Sequence, residues 1–499
     1  MHSLSHLANL AVSLFLAAGA VHAQSCSGQL ITDPTSAKFL TGDTPFTATQ
    51  ADMNCYSWQM FLSLNWPVDP GWPATPAKAG EPDRTATIAD FGLPGQGGQA
   101  MAGGTVWQSF MAAPEVFKAG AATPTDWGVV PPPPSSCTSA NGTLGTGGSG
   151  RVLTATSKSA VHPMHRFNLG TGTLSTVSDE ILEATGGWLT DQSGNLVFFE
   201  RLMGKAEYDY ITGKKLYDAA NQMAVATNAN GTTPEGLSLP KGKPAGSGVQ
   251  SQEELGAFEL KAAWRNLGAD TELYDRYLTS TAYLVAPDGT CSETVVGLVG
   301  LHIIHKTASM PNLIWSTFEQ VDNVPGNGTP PAGYSFNNPQ SSDTPNVMPK
   351  CGQTCDYSKP IQVTRQVPIS SGLNATNSEV QKLFATSTGG KSVFQYYQLV
   401  NVLWDGAAAP PSPEPGANAV VPLNYGTFQS EANAPVANTT METYAQLFTP
   451  GLGPSCNACH QSATIAGSKT LASDFSFLFG TASSSQPVTG VTISREFSE

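Results

Sequence analysis

Four stretches in the middle of the chain read as extended, strand-like runs. Residues 256–267, 276–285, 294–306 and 312–320 are rich in β-branched and aromatic side chains and are bounded by Gly, Pro, Asp or Asn. That is the pattern of half-buried strands ending in turns. Residues 195–203 read as a further strand, entered through Ser193 and Gly194. Between the second and third runs, Pro287 presets φ and Gly289 accepts a positive φ, which makes a turn. Connections this short make successive strands antiparallel.

Helical spacing flanks this body. Trp58, Phe61, Leu62 and Asn65 line one face of residues 54–66, which Pro67 stops. Thr105 caps a short helix carrying Val106, Trp107, Phe110 and Met111, and residues 205–223 form a polar, tyrosine-rich helix. Residues 378–384, 392–404 and 440–448 read as three more helices; in the second, Phe394, Tyr397, Leu399, Val400, Leu403 and Trp404 make a broad apolar stripe. Pro- and Gly-rich connections fall at 130–150, 224–250 and 323–360. The expected fold class is α+β: a central antiparallel β-rich body, N-terminal helices and a C-terminal helical segment. The expected divisions are 1–23, 24–375 and 376–499.

Composition narrows the setting. Charged residues make up only 12% of the chain, with 50 Gly and 37 Pro, a mix that suits a loop-rich exported protein. Net charge is −14 with no basic tract, which argues against nucleic acid or anionic membrane as partners. The apolar run from Leu7 to Val21, followed by His22 and Ala23, reads as a signal peptide, although no Lys or Arg precedes it. It is too short to span a bilayer, and no later stretch does so. A periplasmic or secreted location follows.

Chemistry concentrates near the end. Cys456, Cys459 and His460 spell C-x-x-C-H, the pattern for covalent haem attachment. Two thiols three residues apart reach the two vinyl groups of one porphyrin as thioethers. The adjacent imidazole then ligates the iron from below. One haem c is expected, with His460 the proximal ligand, and segment 376–499 becomes its binding segment. The other six cysteines, Cys26, Cys55, Cys137, Cys291, Cys351 and Cys355, suit up to three disulfides in an oxidising compartment, Cys351–Cys355 being the nearest pair. A competing four-cysteine zinc set of Cys351, Cys355, Cys456 and Cys459 has the wrong first spacing and leaves His460 without a role.

The sixth iron position has no obvious owner. Residues 461–499 contain neither Met nor His, so a sixth ligand comes from upstream or the position is open. Met441 is nearest in sequence; Met203, Met223, Met310 and Met348 are looser candidates, as are His162 and His165. His302 and His305 lie on one strand, and alternation places them on opposite faces. Trp315, Thr317 and Glu319 share one face of the next strand, where Glu319 is a candidate acid or base and His302 a candidate distal residue.

Residues 61–67 (FLSLNWP), 301–307 (LHIIHKT), 315–323 (WSTFEQVDN), 455–460 (SCNACH) and 473–479 (SDFSFLF) resemble segments of the large, poorly characterised bacterial proteins grouped as c-type cytochrome family members. The resemblance implies an exported monohaem protein with its haem motif at the end, and implies no substrate. Three functions are weighed. The first is electron transfer with a redox partner protein or small-molecule donor or acceptor, coupled or not to oxidation of a molecule bound by the body. The second is a haem peroxidase or oxygenase with an open sixth site. The third is a disulfide-bonded binding protein without haem.

Overall fold

In the computed structural model the strand pattern becomes one nine-stranded sheet. The residues described are 25–44, 48–95, 101, 103–132, 137, 151–154, 187–227, 237–244, 251–286, 289–326, 330–350, 355–405, 428–430, 434–447, 456–461, 463–468 and 470–485. The signal-peptide reading, His162 and His165 fall outside them. The main path runs β1 (Met111–Ala112), β3 (Val197–Met203), β4 (Phe258–Asn266), β6 (Cys291–His305), β7 (Ile314–Gln320), β8 (Tyr397–Asp405), β9 (Phe428–Ser430). β5 (Thr279–Val285) pairs with the first half of β6, and β2 (Val152–Leu153) lies beside β5. Only the β2–β5 pair is parallel among these strands. The large antiparallel sheet backed by helices agrees with the α+β reading.

Alternation along β6 assigns the two faces. Leu301, Ile303 and His305 point to one side, His302, Ile304 and Lys306 to the other. The first face carries the helix Gln50–Leu64, which starts four residues before the apolar stripe because Thr49 and Asp52 form a capping box there. Its Trp58 and Phe61 rings lie 5.1 and 4.5 Å from Phe318 of β7. The helix Ser371–Ser387 packs beside it, and Asn377 accepts a hydrogen bond from the Trp58 indole at 3.2 Å while donating to the Leu399 carbonyl. The second face carries two apolar clusters, covered by the helices Lys205–Gly213 and Ala219–Ala226 and by irregular chain from 434–447 and 463–485.

Three expected helices are absent. The segment after Thr105 makes only a 3-10 turn, Trp107–Ser109, without a Thr105 side-chain cap, and Met111 already belongs to β1, where pairing with β3 draws the chain into the sheet. Residues 392–404 form a short 3-10 turn, Val393–Tyr396, and then strand β8 in the main sheet. The cause is a bulge: Thr317 faces Asn401 and Phe318 faces Leu399, so Val400 is an extra residue. Tyr397, Leu399, Val402 and Trp404 therefore share the first-face core with a phase slip, which imitates a helical stripe. Residues 440–447 are turns, because the Asn438 carboxamide accepts from the Thr440 and Met441 amides and holds a local turn instead of a helix. The C-terminal segment is consequently not a helical cap; its first half completes the sheet.

Cysteine pairs join Cys26 to Cys55 and Cys137 to Cys291, and Cys355 is also disulfide-bonded, its expected partner Cys351 lying outside the described residues. No helix among the described residues is long and apolar enough to cross a membrane.

Candidate functional site

Cys456–His460 forms one short helical turn resting on the second face of the sheet. Both cysteines are thiols rather than disulfides, and their spacing of three puts them on one side of that turn. Cys456 packs against the cluster that holds Ile304, Trp315 and Leu403. Burial pushes its thiol well above the usual range, and the neighbouring charge of Glu442 adds to the effect. The disulfide at Cys355 takes that residue out of the four-cysteine zinc set. No cluster of three or more ligating side chains occurs among the described residues.

The imidazole of His460 is held on three sides. Its ring centroid lies 4.6 Å from Trp315 of β7 and 4.9 Å from Phe477. Its Nδ1 lies 2.8 Å from the carbonyl oxygen of Phe475. A carbonyl only accepts, so Nδ1 carries the proton and Nε2 carries the lone pair. A histidine that donates from one nitrogen to a backbone carbonyl is oriented as a metal ligand through the other.

The carbonyl is brought there by an unusual backbone. After His460 the chain turns back, with Thr464 bridged to Ala472, and then Asp474 and Phe475 take φ of +56° and +68°. Two successive non-glycine residues in the left-handed region need external support. Lys306, the residue after β6, supplies it: its Nζ lies 2.6 Å from Asp474 Oδ2, which also accepts from the Leu239 amide at 2.6 Å. Both partners are buried, Lys306 at 1% and Asp474 at 5% exposure. The ion pair thus fixes the turn, the turn aims the carbonyl, and the carbonyl sets the imidazole.

The other candidates are dispersed. His302 stands on the same face as Trp315, two residues along β6 from Ile304. Its Nε2 lies 3.4 Å from Glu442 Oε2 yet makes no hydrogen bond there. Because the Glu442 charge also acts on Cys456, His302, Glu442 and the motif belong to one neighbourhood. Glu319 is fully buried, ion-paired with Arg365 and accepting from the Thr439 amide. It anchors the covering chain to the sheet and lines no open cleft. Met441 is buried with Val299 and Phe336, in a different cluster from the one beneath Cys456. Met203 and Met223 belong to that latter cluster, Met310 lies on the opposite face, and Met348 is 41% exposed.

His305 faces away from the motif. It is stacked 3.7 Å from Phe258, with Nδ1 2.8 Å from the Tyr56 hydroxyl and Nε2 donating to the Leu255 carbonyl. Burial lowers its pKa from 6.5 to about 4. The unfolded chain then binds a proton that the folded chain refuses. Stability is full above pH 6.5 and falls by roughly 3 kcal/mol as pH drops to 4. Chemical denaturation across that range is expected to show this slope in the wild type and a flatter one in His305→Gln.

Sequence reasoning does not assign Lys306, Asp474 or Glu442. The available signal is a lysine at the end of a strand whose alternation predicts burial, since a buried lysine implies a partner. No family model, no curated protein and no solved structure matches the chain.

Proposed function

We propose that this chain is an exported monohaem c-type cytochrome that transfers electrons. Cys456 and Cys459 would hold the porphyrin as thioethers, and His460 Nε2 would ligate the iron. When bound, the haem supplies a one-electron redox centre. The observation that carries the reading is the hydrogen bond from His460 Nδ1 to the Phe475 carbonyl, which puts the lone pair on Nε2 and fixes its direction. Trp315 and Phe477 restrain the ring on its flanks, so little orientational freedom remains to be lost on ligation. The cysteine pairs suit an oxidising compartment such as a periplasm, and the acidic chain suits a basic redox partner.

A second reading, an iron open on its far side and able to bind small oxidants, is favoured by one observation. Met441, the nearest candidate for the sixth ligand, is committed to a separate core cluster. Protein produced with the haem c maturation system separates the two. The reduced pyridine spectrum of an attached haem c is expected in both cases. A methionine charge-transfer band with no carbon monoxide binding identifies a closed electron-transfer centre, and rapid carbon monoxide binding identifies the open one. A haem-free product would reject both.

A further inference from the structure

A small cavity lies on the first face of the sheet, where β3 ends at Met203 and β4 begins at Phe258. Leu64, Val106 and Phe110 give it apolar walls, and Thr41, Ser63 and Gln252 bring polar groups to it. Its volume is about 20 Å³, whereas about 10–15 Å³ suffices for one water molecule. The Cys456–His460 turn rests on the other face, so the cavity belongs to a part of the molecule that the haem reading leaves unused.

Two buried polar atoms of its lining residues, Thr41 Oγ1 and Gln252 Oε1, have no hydrogen-bond partner among the described residues. The residues themselves are 6% and 9% exposed. The Gln252 carboxamide is oriented by its nitrogen, which donates to the Ala79 carbonyl and to Glu81 Oε1, each at 3.1 Å. Both partners accept, so the oxygen is the end turned toward Gly80. A Cβ at Gly80 would stand 2.0 Å from that oxygen, and the glycine leaves it room. The oxygen needs a donor, and the Thr41 hydroxyl can donate, yet the two do not pair with each other. Leaving either atom unpaired costs more than an ordinary hydrogen bond contributes. One molecule that donates in one direction and accepts in another satisfies both. Ser63 offers a third contact, because its hydroxyl donates to the Met60 carbonyl at 3.2 Å and keeps its lone pairs for accepting.

We propose that this cavity is a binding site for one water molecule, which donates to Gln252 Oε1 and accepts from the Thr41 hydroxyl. Buried waters of this kind have two to four polar partners and are costly to remove. This one ties together three segments far apart in sequence. They are the loop before the helix Gln50–Leu64, the last turn of that helix, and the 3-10 turn Gln252–Glu254 that leads into β4. The site is independent of haem and stands or falls without it.

The test is the sign of a stability change. Valine has nearly the shape of threonine without its hydroxyl. With the water bound, Thr41→Val removes one of its anchors, and the thermal midpoint is expected to fall by about 1–2 °C. In a dry cavity the same substitution deletes an unpaired buried hydroxyl, and the midpoint rises. A high-resolution crystal structure of the wild type reads the site directly. Density for a water is expected about 2.7–3.2 Å from both Thr41 Oγ1 and Gln252 Oε1. Should Thr41→Val not fold, that density decides alone. A wild-type cavity without the density, or a Thr41→Val midpoint equal to or above that of the wild type, overturns the proposal.

Discussion

Replacing His460 with alanine is expected to leave haem attached at Cys456 and Cys459 while stripping the iron of its proximal nitrogen. The visible spectrum of the oxidised protein should change from that of a nitrogen-ligated haem, and imidazole added to the solution should restore it. The substitution also removes a ring packed between Trp315 and Phe477 and leaves the Phe475 carbonyl without its donor. Losing that hydrogen bond costs about 0.5–1.5 kcal/mol, so the thermal midpoint falls even in protein made without haem. Two readouts are thus separable: imidazole rescues the spectrum, and it does not rescue the fold. If the spectrum of His460→Ala matched that of the wild type, His460 would not be the ligand.

The second large effect belongs to the pair behind the histidine. Lys306 and Asp474 are both buried and 2.6 Å apart. Removing one member leaves the other as an uncompensated buried charge, which costs about 3–5 kcal/mol. Lys306→Met and Asp474→Asn are each expected to lose that much in urea denaturation. The double variant should recover a large part of it, because neutral groups need no partner. The same variants release the left-handed turn at Asp474 and Phe475, so the orientation of His460 loosens. A change in haem spectrum or potential in Asp474→Asn, without any change at the iron ligand itself, is the signature of that positioning role. A merely structural pair would lower stability and leave the spectrum of the surviving folded protein unchanged.

These expectations rest on features of unequal visibility. Strands β3 to β7 are legible because each is rich in β-branched and aromatic residues and turn residues bound them, as Gly289 does with φ of +84°; the bulge opposite Ala263 and Trp264 leaves no such sign. The C-x-x-C-H pattern is visible in the sequence because it is local: three residues within five positions. β8 reads as a helix for a reason the register explains. One bulged residue, Val400, offsets the alternation of Tyr397 and Leu399 from that of Val402 and Trp404, and the sum has a helical period. The covering chain near Asn438 also misleads, because a side-chain hydrogen bond, invisible to apolar periodicity, sets its turn. Glu319 is placed on the right face, but the sequence contains no sign that Arg365 would close over it. The support of His460 is hidden because it joins residues far apart in sequence: Lys306 after β6, and Asp474 in the loop that follows the motif.

The intact mass of purified chain, made with the haem c maturation system and measured under denaturing conditions, bears most directly on the central claim. Thioether bonds survive denaturation, so a single species heavier than the processed polypeptide by one haem is expected, and the Cys456→Ala, Cys459→Ala double variant should lack that increment. A wild-type mass equal to the bare processed polypeptide, from cells that load haem onto another c-type cytochrome, would contradict it.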